Sequence, residues 1–501
     1  MDTIWRYSEN DPLLFTKINF WIFFAVVLAI YALVFRKKQL RNAVLFGLSV
    51  YFYYKTGGYF FILLLFSTVT DFYFGLSIDR QTVPQRRKLF LLGSIAVNLA
   101  VLFYFKYAYF LTDVLNGLLG ASIEPINYLA LWSNWLTGSH LNTAQILLPV
   151  GISFYTFQTM SYTIDVYRRH VKPITSIIDF GFYVTFFPPL VAGPIVRASQ
   201  FVPQLYRNYQ VSSKDFSIAV FLILCGLIKK IAIADYISIN FVDRVFDSPF
   251  LYSGFENLLA VYGYAIQIYC DFSGYTNIAI GVAMLLGFQL PQNFNSPYKA
   301  TNISDFWRRW HISLSSWLKD YLYIPLGGNR HGWKRMYIAL MLTMLIGGLW
   351  HGANNKFILW GGLHGLALCL HKAWRTLRPQ PLQHPINLRY LSAFLTFHFV
   401  CFAWIFFRAD SMDTAYTIIE QILHHFSWSS IFSVIYVNYI VLTMILLTLI
   451  IHVLPVHTKE WYQKLFVQTP FVLKFVLIIV LVLLFYQIQI TDLQPFIYFQ
   501  F

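Results

Sequence analysis

The chain alternates between long apolar segments and short polar connections. Four segments are almost uniformly apolar, at residues 19–35, 89–111, 437–453 and 471–488. Eight further apolar segments contain occasional polar residues, at 43–54, 59–76, 146–166, 216–234, 258–286, 337–350, 357–370 and 390–407. Because an apolar stretch of about 20 residues can cross a hydrocarbon core, this pattern predicts an all-α integral membrane protein with about ten to twelve spanning or re-entrant segments.

Two long stretches are less apolar than the rest, at 112–143 and 291–335. The first contains scattered asparagine and tryptophan residues and is expected to be an external loop with aromatic residues at the membrane interface. The second begins with the run Pro291–Tyr298 (PQNFNSPY), whose prolines oppose helix formation. A similar break is predicted at 186–195, which contains three prolines and a glycine.

A helix inside the second stretch is predicted to begin at Asp305 with Ser304 as its N-cap, because a hydroxyl there can accept a hydrogen bond from the first turn. It is expected to continue past His311 and to point that histidine into the protein. The run Tyr323–Arg330 (YIPLGGNR) then interrupts helical order. Since non-helical backbone near a membrane is tolerated where it lines a cavity, these breaks predict an internal chamber rather than a plain helical bundle.

Composition supports the membrane assignment. Hydrophobic residues make up 57% of the 501 residues and charged residues only 12%, whereas soluble domains contain about 25% charged residues. The net charge is +15, and many of the positive charges lie in short loops at 36–41, 79–88, 167–172 and 372–378. Such loops mark the cytoplasmic side, which puts the N-terminus outside the cytoplasm. Anionic lipid headgroups, and not nucleic acid, are therefore the expected partners of these charges.

Two histidines carry the candidate chemistry. His351 lies in the run Gly347–Ala353 (GGLWHGA) between two apolar segments, and His311 precedes it by 40 residues with one apolar segment in between. An ionisable side chain at membrane depth is costly and usually faces the protein interior or a cavity. Because imidazole exchanges protons near neutral pH, the pair favours acid–base catalysis in which a histidine accepts the proton of an attacking hydroxyl.

Other chemistries fit the sequence less well. No carboxylate or thiol is spaced to complete a metal site with the two histidines, and no Gly-x-Ser-x-Gly motif is present. Direct attack of an acceptor hydroxyl on a thioester is therefore the economical mechanism. Asp271, in the run Tyr269–Tyr275 (YCDFSGY), is open between a structural anchor and a site residue, whereas His364 is interpreted as a core histidine. A proton-coupled transporter, with Asp271 in a relay, is the alternative from a different class.

Several ordered motifs match one known family. They are FPPLVAGPI at 187–195, QIYCDFSGY at 267–275, NFNSPY at 293–298, DFWRRWH at 305–311, YIPLGGNR at 323–330, GLWHGA at 348–353 and WIFFRA at 404–409. In these motifs the chain resembles the membrane-bound O-acyltransferase (MBOAT) family, specifically its bacterial alginate O-acetyltransferase (AlgI-type) branch. The two ends of the chain match mainly in hydropathy.

The resemblance implies an MBOAT-type multi-helix bundle around a tunnel, formed by a single membrane-embedded domain over 1–501 with a catalytic core at about 145–410. It implies transfer of an acyl group, expected to be acetyl, from a cytoplasmic thioester to hydroxyls of an extracytoplasmic polysaccharide. The donor would be acetyl-CoA or an acyl-carrier protein thioester, with no bound cofactor or metal. A periplasmic partner transferase or the acceptor glycan itself would receive the group at the bacterial inner membrane. D-alanyl transfer to teichoic acid is the alternative within the family.

By the same resemblance, His351 matches the catalytic histidine of the family and His311 its second motif position. Either histidine could act as the base, while the other orients it or stabilises charge. Further candidates for substrate binding or for lining the tunnel are Asp271, Asn293, Trp307, Arg308, Arg309, Trp310, Tyr323, Asn329, Arg330, Trp350 and Asn354.

Overall fold

The computed structural model describes residues 7–8, 11–138, 140, 142–377, 386–488 and 497. All regular secondary structure in these residues is helical, as the sequence predicts. The α-helices are Ile18–Val34, Lys38–Gly57, Phe61–Arg80, Pro84–Leu102, Ala108–Leu119, Tyr128–Thr137, Ile152–Tyr167, Ile177–Thr185, Phe187–Leu190, Ala198–Leu205, Ser213–Leu227, Asp243–Asp247, Gly254–Leu285, Ile303–Arg309, Ile312–Leu318, Gly332–His351, Asn355–Leu377, Ile386–Arg408, Met412–His424, Ile431–Val437, Tyr439–Val453, Val456–Gln468 and Phe471–Ile488. The π-helical turns are Phe103–Tyr107, Ile228–Asp235, Ser238–Val242 and Lys319–Tyr323, and the 3-10 turns are Gly58–Phe60, Pro249–Leu251 and Pro297–Lys299.

Four helical stretches of the described residues are long and apolar enough to cross a membrane. They are Lys38–Arg80, Pro84–Leu119, Ser213–Asp247 and Leu388–Arg408. Two bent helix pairs between residues 431 and 485 raise the number to six if each pair is one span. This is fewer than the expected ten to twelve spanning or re-entrant segments, although helices form over the other predicted segments too. Those helices are shorter or more polar, and several of them are largely buried by other helices.

The longest helix, Gly254–Leu285, is called the central helix here. It begins at a capping box formed by Ser253 and the third residue of the helix, and it packs along the helix Ser213–Leu227. A Cβ atom on Gly274 would lie only 2.8 Å from the carbonyl oxygen of Gly226. Glycine at this crossing therefore lets the two backbones approach closely.

A second close helix pair carries His351. Helix Gly332–His351 is followed after three residues by helix Asn355–Leu377, and the two pack along each other. A Cβ atom on Gly348 would lie 2.1 Å from the carbonyl oxygen of Phe357. Only glycine allows this contact. Gly348 therefore lets the two helices pack closely where His351 ends the first of them, beside the connecting turn.

The helix predicted to begin at Asp305 begins earlier and has a different cap. It comprises Ile303–Arg309, and its N-cap is Asn302 rather than Ser304. The Asn302 side chain accepts a hydrogen bond from the backbone N–H of Asp305 at 2.8 Å. An amide oxygen two residues upstream therefore replaces the predicted hydroxyl in the same capping role.

The expected continuation of this helix past His311 is wrong. His311 lies in a left-handed turn, with φ of +42°, and a new helix, Ile312–Leu318, follows it. The turn is held by Asn293, whose backbone carbonyl accepts from the N–H of Ile312 at 3.0 Å and whose side chain accepts from the N–H of Ser313 at 3.2 Å. The polar run upstream therefore ends the helix, an effect that local periodicity does not reveal.

All three predicted helix breaks are confirmed, and residues 291–296 of the first polar run are not helical. Helix Ile177–Thr185 ends before the proline-rich segment 186–195, in which only the short helix Phe187–Leu190 forms. Residues 324–330 form turns in which Gly327 and Gly328 have positive φ.

The stretch 112–143, expected to be a loop, is partly helical. It contains the end of helix Ala108–Leu119 and the whole of helix Tyr128–Thr137. Asn127 caps the second helix, since its side chain accepts a hydrogen bond from the N–H of Ala130 at 3.0 Å. The asparagines of this stretch thus define helix ends instead of preventing helices.

Candidate active site

His311 and His351 come together on either side of Trp350. The centroid of the Trp350 ring lies 5.0 Å from that of His351 and 6.3 Å from that of His311. Phe154 packs against the same group, with its ring 5.5 Å from Trp350 and 6.4 Å from His311. Both histidines are buried, with 0% of His311 and 4% of His351 exposed. The structure thus brings together the two histidines that the sequence pairs.

The turn at His311 is tied to both polar breaks. The Ser313 hydroxyl donates to the side-chain oxygen of Asn293 at 2.6 Å and accepts from the backbone N–H of Ile195 at 3.0 Å. Phe272 of the central helix packs edge-on against the His311 ring at 4.6 Å. Burial lowers the pKa of His311 to about 3, so its ring is neutral at physiological pH.

The backbone of His351 is held by Lys106, a half-buried lysine that is not among the sequence-predicted site residues. The Nζ of Lys106 donates to the backbone carbonyl of Trp350 at 2.7 Å and to that of His351 at 3.1 Å. These carbonyls end a helix and lack partners within it, so the N–H groups of Lys106 satisfy them. Lys106 therefore fixes the backbone at His351.

The lysine lies in the π-helical turn Phe103–Tyr107, a feature that is frequent at functional sites. The hydroxyl of Tyr107 donates to the Leu349 carbonyl at 2.9 Å, so the turn binds three successive carbonyls of the helix end. A signal was present in the sequence, because Lys106 is a charged residue inside the apolar segment 89–111.

Aromatic rings contact His351 on its other sides. Trp360 lies 5.1 Å from the His351 ring and Phe407 lies 5.2 Å from it. Trp360 also contacts His364 at 4.8 Å, a fully buried histidine for which the described residues provide no hydrogen-bond partner at either ring nitrogen. His364 thus borders the site, although the sequence analysis assigned it to the core.

A cavity of about 50 Å³ lies beside the pair and is lined by residues 148–154, Val191, Lys106, Trp350 and His351. This volume can hold a few water molecules. His351 is the only histidine in that lining, while His311 lies behind Trp350. Over the described ranges, no three histidine, cysteine or carboxylate side chains are grouped as metal ligands.

Several of the other candidate residues lie close to the histidines. Trp307 contacts Trp360 at 5.7 Å, and Trp310 contacts Trp404 at 5.1 Å. Trp404 and Trp360 in turn stack at 5.9 Å, so these rings form one aromatic wall with His351. Asn293 acts through the turn at His311, as described above.

The remaining candidates lie nearer the protein surface. Arg308, Asn329, Arg330 and Asn354 are exposed, and Tyr323 bonds to Asn329. The Asn354 side chain accepts from the N–H of Lys356 at 3.1 Å, at the start of helix Asn355–Leu377. Arg309 forms an ion pair with Asp305 at 2.9 Å. These contacts give each of the bonded residues a local structural role.

Asp271 lies in a second polar cavity, of about 20 Å³. The Nζ of Lys230 lies 2.7 Å from the carboxylates of both Asp271 and Asp235. Arg408 and Asp243, paired at 2.8 Å, line the same cavity, whereas neither His311 nor His351 does. Of the two interpretations of Asp271, this placement favours the structural anchor.

Comparison with known proteins identifies the family. The sequence model of the membrane-bound O-acyltransferase (MBOAT) family matches residues 166–412 of this chain. That range includes both histidines. The chain belongs to the membrane-bound O-acyltransferase family. It is therefore a multi-pass membrane protein and an O-acyltransferase, as its motifs predict.

Individual relatives narrow the class further. The "Peptidoglycan O-acetyltransferase" of Helicobacter pylori is 36% identical over 400 residues, which cover 74% of this chain and 72% of the relative. The "Probable alginate O-acetylase AlgI" of Pseudomonas aeruginosa is 37% identical over 415 residues, or 82% and 75% of the two chains. The "Teichoic acid D-alanyltransferase" of Bacillus subtilis is 28% identical over 311 residues, or 59% and 77%. The predicted O-acetyltransferase branch is the better match.

Proposed function

We propose that this protein moves an acetyl group from a cytoplasmic thioester to hydroxyls of an extracytoplasmic polysaccharide, with His351 as the base. The observation that carries the proposal is the setting of His351. Its ring lies at the edge of a cavity, its backbone carbonyl bonds to Lys106, and Trp350 contacts both it and His311.

In the proposed step an imidazole nitrogen of His351 takes the proton of the acceptor hydroxyl while the hydroxyl oxygen attacks the thioester carbonyl carbon. The tetrahedral intermediate collapses by breaking the C–S bond, and the leaving thiolate takes the proton from His351. The neutral His311 ring can donate one hydrogen bond to the developing oxyanion. The proton and the acyl group are both accounted for, and no acyl-enzyme intermediate is needed.

The two substrates would reach this site from opposite sides of the membrane. The cavity at His351 is lined by residues 148–154, which follow the nearly uncharged stretch 112–143. The basic loops at 36–41 and 167–172 lie on the other side by the charge rule. A cytoplasmic donor would then approach from the His311 side and the acceptor from the cavity, in a bacterial inner membrane with the N-terminus outside the cytoplasm.

The acceptor class follows from the relatives, whose names point to peptidoglycan or alginate. We extend the proposal to an acceptor polysaccharide that is reached directly or through an extracytoplasmic partner transferase, with acetyl-CoA or an acetylated carrier protein as the donor. The single domain with a core at about 145–410 remains part of the proposal, but Lys106 and Tyr107 contribute to the site from outside that core.

The test is a transfer assay with purified protein in lipid nanodiscs, with radiolabelled acetyl-CoA as donor and a polysaccharide acceptor. His351→Ala should lower the rate about 100-fold or more, with an unchanged elution profile in size-exclusion chromatography. The matched control is His424→Ala, which removes an exposed histidine from a helix end and should keep the wild-type rate. A folded His351→Ala protein with wild-type activity would contradict the proposal. A preference for a D-alanyl thioester would favour the teichoic-acid alternative instead.

A further inference from the structure

Three lysines converge on one buried histidine away from the pair described above. Lys229, Lys299 and Lys459 are half-buried, and the charges of all three act on the ring of His452. Those of Lys229 and Lys299 also act on Lys459. They come from three separate parts of the chain, so the fold, and not the local sequence, assembles this lysine cluster.

The bonds of these ammonium groups go to neutral groups. Lys459 donates to the Ser296 hydroxyl at 2.8 Å and to the His452 carbonyl at 2.9 Å. Lys299 donates to the carbonyl of Leu454 at 3.1 Å. Lys229 lies 5.5 Å from the centre of the Tyr269 ring and 3.2 Å from the amide oxygen of Asn277, with that amide oriented to satisfy both of its groups.

Lys230, the residue next to Lys229, has the carboxylate partners that the lysine cluster lacks among the described residues. Lys230 is bonded to two carboxylates, whereas within the part of the chain that the structure describes no ion pair forms at any member of the lysine cluster. Ammonium groups that lack a carboxylate partner in a half-buried setting repel one another and lose hydration. An anion from outside the chain would remove both costs.

His452 gives an independent indication of an acceptor. Its Nε2 lies 3.1 Å from the backbone N–H of Tyr298, which can only donate, so Nε2 carries the lone pair and the ring proton is on Nδ1. The side chain is 2% exposed. The Ser296 backbone interacts with the ring, but no group of the described residues lies in hydrogen-bonding geometry at Nδ1. A buried N–H with only this backbone contact thus lies beside the three ammonium groups.

Aromatic rings connect this cluster to the histidine pair. The Tyr269 ring, which contacts Lys229, lies 5.9 Å from that of Phe294. Phe294 lies 5.0 Å from Phe272, and Phe272 lies 4.6 Å from the ring of His311. A continuous series of ring contacts, called the ring path here, therefore runs from the lysine cluster to His311.

We propose that Lys229, Lys299 and Lys459 bind a phosphate group, namely the phosphate of the acyl donor, whose extended thioester arm then reaches toward His311 along the ring path. The assignment to a donor rests on the proposed function, but the phosphate site does not. Ammonium groups form charge-assisted hydrogen bonds with phosphate oxygens, and acetyl-CoA and carrier-protein thioesters share a phosphate at the far end of their pantetheine arm.

The first experiment measures anion binding without requiring catalysis. Inorganic pyrophosphate should raise the apparent melting temperature of the nanodisc-embedded protein by about 2 °C or more relative to chloride at equal ionic strength. The combined variant Lys229→Gln/Lys299→Gln/Lys459→Gln should lose this rise. Lys464→Gln, an exposed lysine on the same helix as Lys459, should retain it, and Lys459→Arg should retain it because the charge is kept. An unchanged rise in the folded combined variant would overturn the site.

The second experiment identifies the source of the phosphate. Each single Lys→Gln variant should raise the donor KM about tenfold with S-acetyl-phosphopantetheine, with kcat changed little, and should have no effect with S-acetylpantetheine, which lacks the phosphate. Equal effects on both donors would overturn the donor assignment. If the variants instead lose only the stabilisation given by phosphatidylglycerol over phosphatidylcholine nanodiscs, the phosphate belongs to a lipid headgroup. If no donor is turned over, the pyrophosphate measurement still decides on the site.

Discussion

Two buried polar regions of this protein are built in opposite ways. In the cavity at Lys230, charged groups neutralise one another, because the ammonium lies between Asp235 and Asp271. At the histidine pair, two imidazoles pack among aromatic rings, and the nearby ammonium of Lys106 bonds to backbone carbonyls. The first arrangement connects the central helix to its neighbour, whereas the second places a proton acceptor beside a cavity. The comparison separates residues that hold the bundle from residues that can do chemistry.

The comparison of the two regions predicts that the largest loss of stability follows from replacing Lys230. Replacing this residue by methionine would leave two buried carboxylates, Asp235 and Asp271, without their cation. The free energy of unfolding should therefore fall by about 3–5 kcal/mol, as measured by denaturant titration in nanodiscs or detergent. His351→Ala should leave stability nearly unchanged and remove activity, so the two variants should have opposite profiles.

The matched control for Lys230→Met removes the whole charge group. In Lys230→Met/Asp235→Leu/Asp271→Leu no charge is left unpaired, and most of the lost stability should return. If the triple variant were as stable as the wild type but inactive, Asp271 would belong to the chemistry, and the separation of the two regions would be wrong.

Motifs predicted the histidine site better than they predicted its supports. His311 and His351 stand out because polar, helix-breaking runs surround them in an apolar chain, and costly polar residues in a membrane protein point to function. The support from Lys106 comes from more than 200 residues away in sequence, and only the folded chain shows that contact. The same holds for Asn293, which ends a helix by bonding to residues beyond the turn.

The helical fold was predictable from the apolar segments, whereas only four helical stretches of the described residues are long and apolar enough to be recognised as spans on their own. Amino-acid composition distinguishes a lipid-facing helix from a water-facing one well. It distinguishes a lipid-facing helix from one buried in the protein poorly, because a helix buried among other helices tolerates polar residues. The central helix carries Asp271 and several tyrosines for this reason, and nearly all of these side chains are buried. Lysines that lack a carboxylate partner are equally hard to recognise in a sequence. Lys229 and Lys230 look alike there, but among the described residues Lys230 bonds to two carboxylates and Lys229 to an amide oxygen.

A smaller effect is expected at Lys106, which belongs to the histidine region but acts through backbone carbonyls. Lys106→Met should lower kcat about tenfold, because the end of the helix that carries His351 loses two hydrogen bonds to its last carbonyls. The donor KM should change little, and Lys106→Arg should restore part of the rate.

The control for this prediction is Lys88→Met, which removes an exposed lysine from the helix that precedes the π-helical turn, and it should have no effect. A loss of stability in Lys106→Met as large as that of Lys230→Met would place this lysine with the structural charges and not with the histidine site.

The smallest effect is expected at Arg309, a candidate ligand-binding residue by resemblance. It pairs with Asp305 one turn earlier, and the two side chains are 30% and 24% exposed, so the pair is partly screened and contributes about 0.3–1 kcal/mol. Arg309→Gln should therefore lower the free energy of unfolding by less than about 1 kcal/mol and leave the kinetics of transfer unchanged. A rise in the KM of donor or acceptor, with stability intact, would show instead that Arg309 contacts substrate, and the histidine region would then extend to this partly exposed helix end.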